Sequence, residues 1–184
     1  YTDVSQFGGV DFAADALYVA EAFPEVGAEA ANRMHAQGGR VFFAPGGVMC
    51  AYGLPALRPL VKACDTMLLS VPELFKLTGK TNVKAGADTL FSAGVKALVV
   101  TQGASGAGFY MPNGFVFAPT VPVHAVDTTG AGDAFAAAYL ISELRGGTPE
   151  ARLRFANRCA AFTVARFGAR TSPRLDEILS EEPS

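Results

Sequence analysis

The apolar residues of this chain fall into short continuous runs that alternate with stretches of mixed apolar, small and charged residues. "ALYVAEAF" (16–23) reads as a strand, "PEVGAEAANRMHAQGG" (24–39) as a helix opened by Pro24 and closed by glycine, and "RVFFAPGG" (40–47) as a second strand ending in a turn. Together they make a βαβ unit. "LPALRPLVKAC" (54–64) suggests a broken helix, "DTMLLS" (65–70) a short buried strand, and "PELFKLTG" (72–79) a helix running from Pro72 to Gly79. A further helix is expected over "VKAGADTLFSAG" (83–94), a buried strand over "VKALVVTQG" (95–103), and a hairpin over "GAGFYMPNGFVFAPT" (106–120), turning at Asn113-Gly114. "GAGDAFAAAYLISELRGG" (130–147) is a helix that begins with small residues; "PEARLRFANRCAAFTVARFG" (149–168) is another, with Thr148 as its N-cap. This alternation implies a mainly parallel sheet with helices on both faces. The first fifteen residues, "YTDVSQFGGVDFAAD", fit neither pattern and read as the tail of an earlier helix and loop, so that the chain begins inside a larger fold. No repeat or linker marks a boundary, and residues 1–184 are expected to form one domain.

Composition narrows the function classes. A single domain of 184 residues buries roughly 70% of its unfolded surface. Half the residues are hydrophobic and 17% charged, which is an ordinary globular balance. Fifteen Lys and Arg against seventeen Asp and Glu, with no basic run and no Trp, argue against a nucleic-acid partner. No apolar stretch approaches the ~20 residues that cross a bilayer, and the N-terminal residues lack a signal pattern, so no membrane partner and a cytoplasmic location are expected. Cys50, Cys64 and Cys159 have no CxxC spacing, and His35 and His124 are the only imidazoles; a disulfide framework or zinc site is not expected.

The chemistry is concentrated in "AVDTTGAGDAFAAAYL" (125–140). Gly130 and Gly132 permit close backbone approach, and the helix after them aims unpaired N–H groups and its positive dipole end at the turn, which describes an anion hole. Asp133 sits at the same place. A plain alternative is that its carboxylate only complements the helix dipole, at ~0.3–1 kcal/mol. No GxxxxGK[ST] is present, and Phe135 stands where a dinucleotide fingerprint has Gly or Ala. A hydroxyl-activating acid beside a phosphate site accounts for the stretch better than a dinucleotide loop.

"DTTGAGDAF" resembles the C-terminal signature of the PfkB, or ribokinase-like, carbohydrate kinases. The resemblance implies a ribokinase-like three-layer α/β fold, Asp133 as catalytic base, and Gly130, Ala131 and Gly132 as the anion hole. "VVTQGASGAGFY" is similar to the family's strand and Gly-rich turn beside the nucleotide, which carries over Thr101, Gly103 and Gly106 as nucleotide-binding candidates; a hairpin entry would also use such glycines. "LLSVPELFKLTG" is similar to the family's Asn-x-x-Glu segment. Glu73 then matches the acid that places Mg²⁺ through water, while Ser70 stands where the family usually has Asn. A first-turn acid could equally serve the helix dipole there.

"FANRCAAFTVARFGAR" resembles the family's last long helix and following loop. Asn157 falls at the position near the adenine, and the main chain of Thr163, Arg166 and Gly168, with Asp127 and Thr129, matches a monovalent-cation site that would take K⁺; a helix C-cap explains Gly168 as well. The family's N-terminal Gly-Gly motif, sugar-contacting Asp and small β lid are not recognisable, and the resemblance covers roughly the family's C-terminal two thirds. It implies an ATP- and Mg²⁺-dependent kinase acting on a hydroxyl of a sugar, sugar acid or nucleoside, as a homo-oligomer. The alternative is a nucleotide-binding or interaction protein descended from such a kinase and unable to phosphorylate.

Overall fold

The computed structural model describes residues 3–180. Tyr1 and Thr2, at the start of the unassigned first fifteen residues, lie outside the described residues. In chain order the elements are β1 (Ala16–Ala20), α1 (Pro24–Ala36), β2 (Arg40–Ala44), α2 (Gly46–Met49), α3 (Gly53–Ala63), β3 (Thr66–Ser70) and α4 (Val71–Thr78). Then come α5 (Val83–Ala93), β4 (Ala97–Thr101), β5 (Ala107–Met111), β6 (Gly114–Ala118), α6 (Ala131–Leu144), α7 (Pro149–Val164) and α8 (Leu175–Ser180). The strands are hydrogen-bonded in the order β1-β2-β3-β4-β5-β6, and β1 to β4 run parallel. The chain folds into two compact units, one of residues 1–101 with 109–115, the other of 102–108 with 116–184.

In the first unit, β2, β3 and β4 are apolar on both faces. Val41, Phe43, Met67, Leu69, Leu98 and Val100 share one core cluster with Leu57, Leu60, Val61, Leu74 and Leu90 of the helices. The intervening Phe42, Leu68 and Val99 are buried too. Such double burial is why these strands read as continuous apolar runs and not as alternating ones. Residues 4–7 form a 3₁₀ turn whose Phe7 packs with Val26 and Ala30 of α1.

Several boundaries differ from the sequence reading, each for a local reason. β1 stops at Ala20, because Glu21 turns into left-handed backbone at φ 49°. The expected turn at Gly46-Gly47 is already helical, as α2. α3 is one continuous helix and not a broken one. Pro59 lacks an N–H to give the carbonyl four residues back, but burial of Leu57, Leu60 and Val61 along one face outweighs that loss. The β5–β6 connection is Pro112-Asn113, one residue earlier than expected, with neither Asn113 nor Gly114 at positive φ.

Asp65, just before β3, joins three elements at the amino ends of the strands. Its Oδ2 accepts the Val41 N–H at 2.8 Å and lies 3.0 Å from His35 Nε2 at the end of α1. Its Oδ1 pairs with Lys96 Nζ at 2.8 Å, next to β4. Burial pushes the Asp65 carboxyl up, but the hydrogen bonds from Lys96, His35 and Val41 outweigh it and hold the group down at about 2, from 3.8. A carboxyl depressed by folding contributes stability that is complete above its unfolded value and is lost as pH falls through its folded one. Asp65→Asn should therefore cost roughly 1–2 kcal/mol at neutral pH, the scale of a charged hydrogen bond. In urea titrations at pH 7 and pH 2 the gap to the parent chain should narrow at the lower pH; an unchanged gap would assign the loss to packing instead.

Candidate active site

In the second unit, α6 and α7 form a helical hairpin joined through Gly146-Gly147, with Thr148 Oγ1 accepting the Ala151 N–H at 3.3 Å as the expected N-cap. Phe135 stacks on Tyr139 with ring centroids 6.3 Å apart, and buried Glu143 pairs with Arg152 at 2.9 Å, so the hairpin has its own core. The start of α6 carries the predicted chemistry.

Gly130 caps that start in left-handed backbone, at φ 81°, and its carbonyl accepts the Ala134 N–H at 2.9 Å. A Cβ on Gly130 would lie 2.6 Å from the Ala169 carbonyl oxygen, so conformation and space both demand glycine. Gly132 faces open space. The Ala131 N–H is given to Thr128 O at 3.2 Å, which leaves the amides of Gly132 and Asp133 in the first helical turn, where no intrahelical carbonyl can reach them. Asp133 itself is exposed at the third helical position. Together with Gly130 it borders a cavity of about 420 Å³ that continues along α6 past Ala137 and Ile141 toward Leu175 and Ile178.

The loop after α7 locks onto this turn. Asp127, half-buried, accepts the Thr129 N–H on Oδ1 at 2.9 Å and the Gly168 N–H on Oδ2 at 3.0 Å, while the Val126 and Asp127 amides donate to Val164 O at 2.7 and 3.2 Å. The hydrogen bonds to Thr129, then to Gly168, hold the Asp127 carboxyl below the usual carboxylate range. Gly168 is not a helix C-cap. α7 ends at Val164 with Ala165 as its cap, and Gly168 stands beyond it at φ 106°. The carbonyls of buried Thr163 and of Gly168 converge on Thr171 Oγ1, at 3.1 and 3.0 Å. Exposed Arg166 turns back, its guanidinium 3.3 Å above the centre of the Phe162 ring.

Asn157 is buried, and its side-chain amide donates to Ala118 O at 2.9 Å and Pro119 O at 3.3 Å. Its visible work is to fix the backbone leaving β6. Gly106 also has a packing reason: a Cβ there would run into the Ala118 carbonyl, and φ is 118°. Exposed Gly103, at φ 56°, opens the 3₁₀ turn Gly103–Ser105 that follows β4.

In the first unit, the sheet register sets Ser70 directly beside Thr101 at the carboxyl ends of β3 and β4. Ser70 N-caps α4: its hydroxyl accepts the Glu73 N–H at 3.4 Å, and Glu73 Oε2 accepts the Ser70 N–H at 2.7 Å. This reciprocal cap was missed from the sequence, where its signal is the S-x-x-E spacing of Ser70 and Glu73. Ala169 and Thr171, which shape the turn and the converging carbonyls, carry no such signal, because what matters at Ala169 is a main-chain oxygen.

Parallel strands with Ser70 and Thr101 at the carboxyl ends of β3 and β4, alternating with helices, define an α/β protein. Residues 5–176 match the pfkB family of carbohydrate kinases, and the chain belongs to that family. It is 33% identical over 165 residues to an ATP-dependent ribose-1-phosphate kinase of Halopiger xanaduensis, covering 90% of this chain and 53% of that protein. The fold is that of the Thermotoga maritima ribokinase, at a TM-score of 0.81 and 27% identity over 94% of this chain and 59% of that one. It is also that of an Arabidopsis thaliana ribokinase solved with ribose and ATP, at 0.84 and 26% over 91% and 55%. A structure from E. coli solved with ATP and Mg²⁺ matches at 0.80 and 25%, over 97% and 60%. The chain thus spans little more than half the length of these relatives. Among the described residues, no helix is long and apolar enough to cross a membrane.

The two glycines of the turn should part company in a stability test. Gly130→Ala forces a Cβ against Ala169 in left-handed backbone and should cost at least about 2 kcal/mol. Gly132→Ala, in open space at a helical position, should be neutral or stabilising by up to ~1 kcal/mol. Thermal unfolding of both variants checks this, and equal effects would contradict the described turn.

Proposed function

We propose that this chain carries the nucleotide-binding and proton-accepting part of a kinase that moves the γ-phosphoryl group of ATP to a hydroxyl of a sugar, sugar acid or nucleoside. The observation that carries the reading is the exposed amino end of α6, where a left-handed glycine, unpaired amides and the carboxylate of Asp133 share one place. Family membership supports it. Amides alone would suit any anion. An acid among them suits a reaction in which a phosphoryl group and a hydroxyl must meet.

On this reading the acceptor oxygen bonds to the γ-phosphorus as the bond from that phosphorus to the bridging oxygen of the β-phosphate breaks, and the hydroxyl proton passes to Asp133. Gly130, Ala131 and Gly132 shape the turn so that first-turn amides face the charge on the phosphoryl oxygens. Magnesium, when bound with the nucleotide, supplies further charge neutralisation. Glu73 fits a water-mediated role there, since Oε2 is spent in the cap and Oε1 is left outside it. Thr101 and Gly103 meet the nucleotide after β4, with Gly106 setting the turn and Asn157 acting through the backbone it fixes.

The converging carbonyls of Thr163 and Gly168 fit a monovalent cation, because the single proton of Thr171 Oγ1 can satisfy only one of them at a time. The main chain around Asp127, Thr129 and Arg166 completes that site. The Asp127 carboxylate, taken by two amides, serves the loops.

Calorimetric titration with ATP and Mg²⁺ should give saturable heat with the 184-residue chain; a folded chain that shows none at millimolar nucleotide contradicts the site. In a preparation that phosphorylates, Asp133→Asn should lower kcat by roughly 10²–10⁴ with nucleotide affinity little changed, as expected for losing a general base. Near-normal turnover would return Asp133 to the role of dipole complement. Replacing Na⁺ or a bulky organic cation by K⁺ at constant ionic strength should raise the rate, and equal rates in all three salts would remove the cation site.

A further inference from the structure

The sheet ends on two different kinds of strand. Among the described residues β1 pairs only with β2 and β6 only with β5, so each leaves one row of backbone N–H and C=O groups with no strand beside it. Charge commonly guards such an edge, and β1 has it: Asp15 stands just before the strand and Glu21 just after. β6 has no such guard. Between Lys96 and Asp127 the chain carries no Asp, Glu, Lys or Arg, and β6 turns two phenylalanines outward. Phe115 is 66% exposed and Phe117 39%.

Two residues apart on one strand, the two rings share a face of the sheet, and half-buried Val116 between them points to the other. Phe115 is already held in place: its ring stacks on Tyr110 of β5, with centroids 5.7 Å apart and planes 14° from parallel, and Tyr110 packs against the core cluster. Such an edge offers hydrogen bonds to a strand and has no charge to repel one. A partner rich in charge would have to desolvate its charges against phenylalanine with no counter-charge to meet them. A surface equally free of charge loses nothing of that kind. This chain supplies one, in the same edge of a second copy.

Antiparallel pairing of a strand with its own copy places a two-fold axis at one residue. An axis at Val116, the middle of Gly114–Ala118, engages the whole of β6. We propose that the outer edge of β6 is an interface between two copies of this chain, paired antiparallel about Val116 so that Phe115 stands opposite the partner subunit's Phe117, and Phe117 opposite the partner's Phe115. The backbone groups of each edge then satisfy those of the other, and two aromatic cross-strand pairs close over the axis. Because each copy uses its one β6 edge, the assembly stops at two.

The test is sedimentation equilibrium of the 184-residue chain over a range of concentrations, with far-UV circular dichroism to show that each variant is folded. The parent should pass from 19.1 kDa toward twice that mass and stop there. Two double variants remove the same rings and differ only in the sign of one charge. Phe115→Lys with Phe117→Lys sets like charges opposite each other on both sides of the axis, whereas Phe115→Lys with Phe117→Glu sets opposite charges there. The mixed-sign variant should therefore dimerise about tenfold more tightly than the like-sign one, on the scale of two cross-strand charge pairs, and the gap should narrow in high salt. A parent that stays monomeric throughout overturns the proposal, and so does growth beyond two copies. If both variants dimerise as the parent does, the interface lies elsewhere; if both lose dimerisation to the same extent, the strands do not meet about Val116. Either result overturns it as well.

Discussion

The carboxylate of Asp127, taking one N–H from Thr129 at 2.9 Å and another from Gly168 at 3.0 Å, is the contact on which the turn at the amino end of α6 depends. It joins a turn that precedes α6 to a loop that follows α7, two segments about forty residues apart in sequence but side by side because the helices form a hairpin. Once these segments are joined, the Ala169 carbonyl comes against the Cα of Gly130, and no residue with a Cβ can stand there. The demand for glycine at this left-handed turn follows from that close approach. The turn before α6 is held by a charged acceptor and not by the helix alone.

The first unit solves a different problem with the same means. Parallel strands buried on both faces leave only their ends for chemistry, and the register of β3 with β4 delivers Ser70 and Thr101 side by side at the carboxyl ends. At the opposite ends Asp65 ties α1, β2 and the approach to β4. One end of the sheet is thus clasped and the other carries polar groups at the edge of a rigid frame. Preorganisation at both the Glu73 cap and the Asp127 clasp comes from backbone N–H groups meeting carboxylates.

Much of this was legible in residue order, and the exceptions share a cause. Pro24, Pro72 and Pro149 open α1, α4 and α7 where proline at the first turns should, and Gly79 and Gly94 close α4 and α5 in left-handed backbone. Pro59 misled, because a proline's local cost was outweighed by burial of a face that only the folded core provides. Gly168 read equally as a cap or a loop glycine until the partner of its amide was known. The backbone of Ala118 and Pro119 that Asn157 and Gly106 meet comes from a strand far away in sequence or across a hairpin, so this packing role had no local signal.

Residue order by itself determined the alternation of strand and helix, most helix starts, the family and a small set of candidate acids and glycines. These depend on local rules: the period of burial, the dihedrals open to glycine and proline, and the reach of a side chain over three or four residues. The tertiary structure alone decided which of those groups are free and which are already spoken for. Asp133 keeps its carboxylate exposed, Asp127 gives both oxygens to amides, and Glu73 divides its two between a cap and the outside. The Asp127 partner from Gly168 and the Ala169 carbonyl against Gly130 are main-chain atoms brought from far along the chain. A main-chain atom is the same in every residue, so no sequence pattern can announce where it will come to rest.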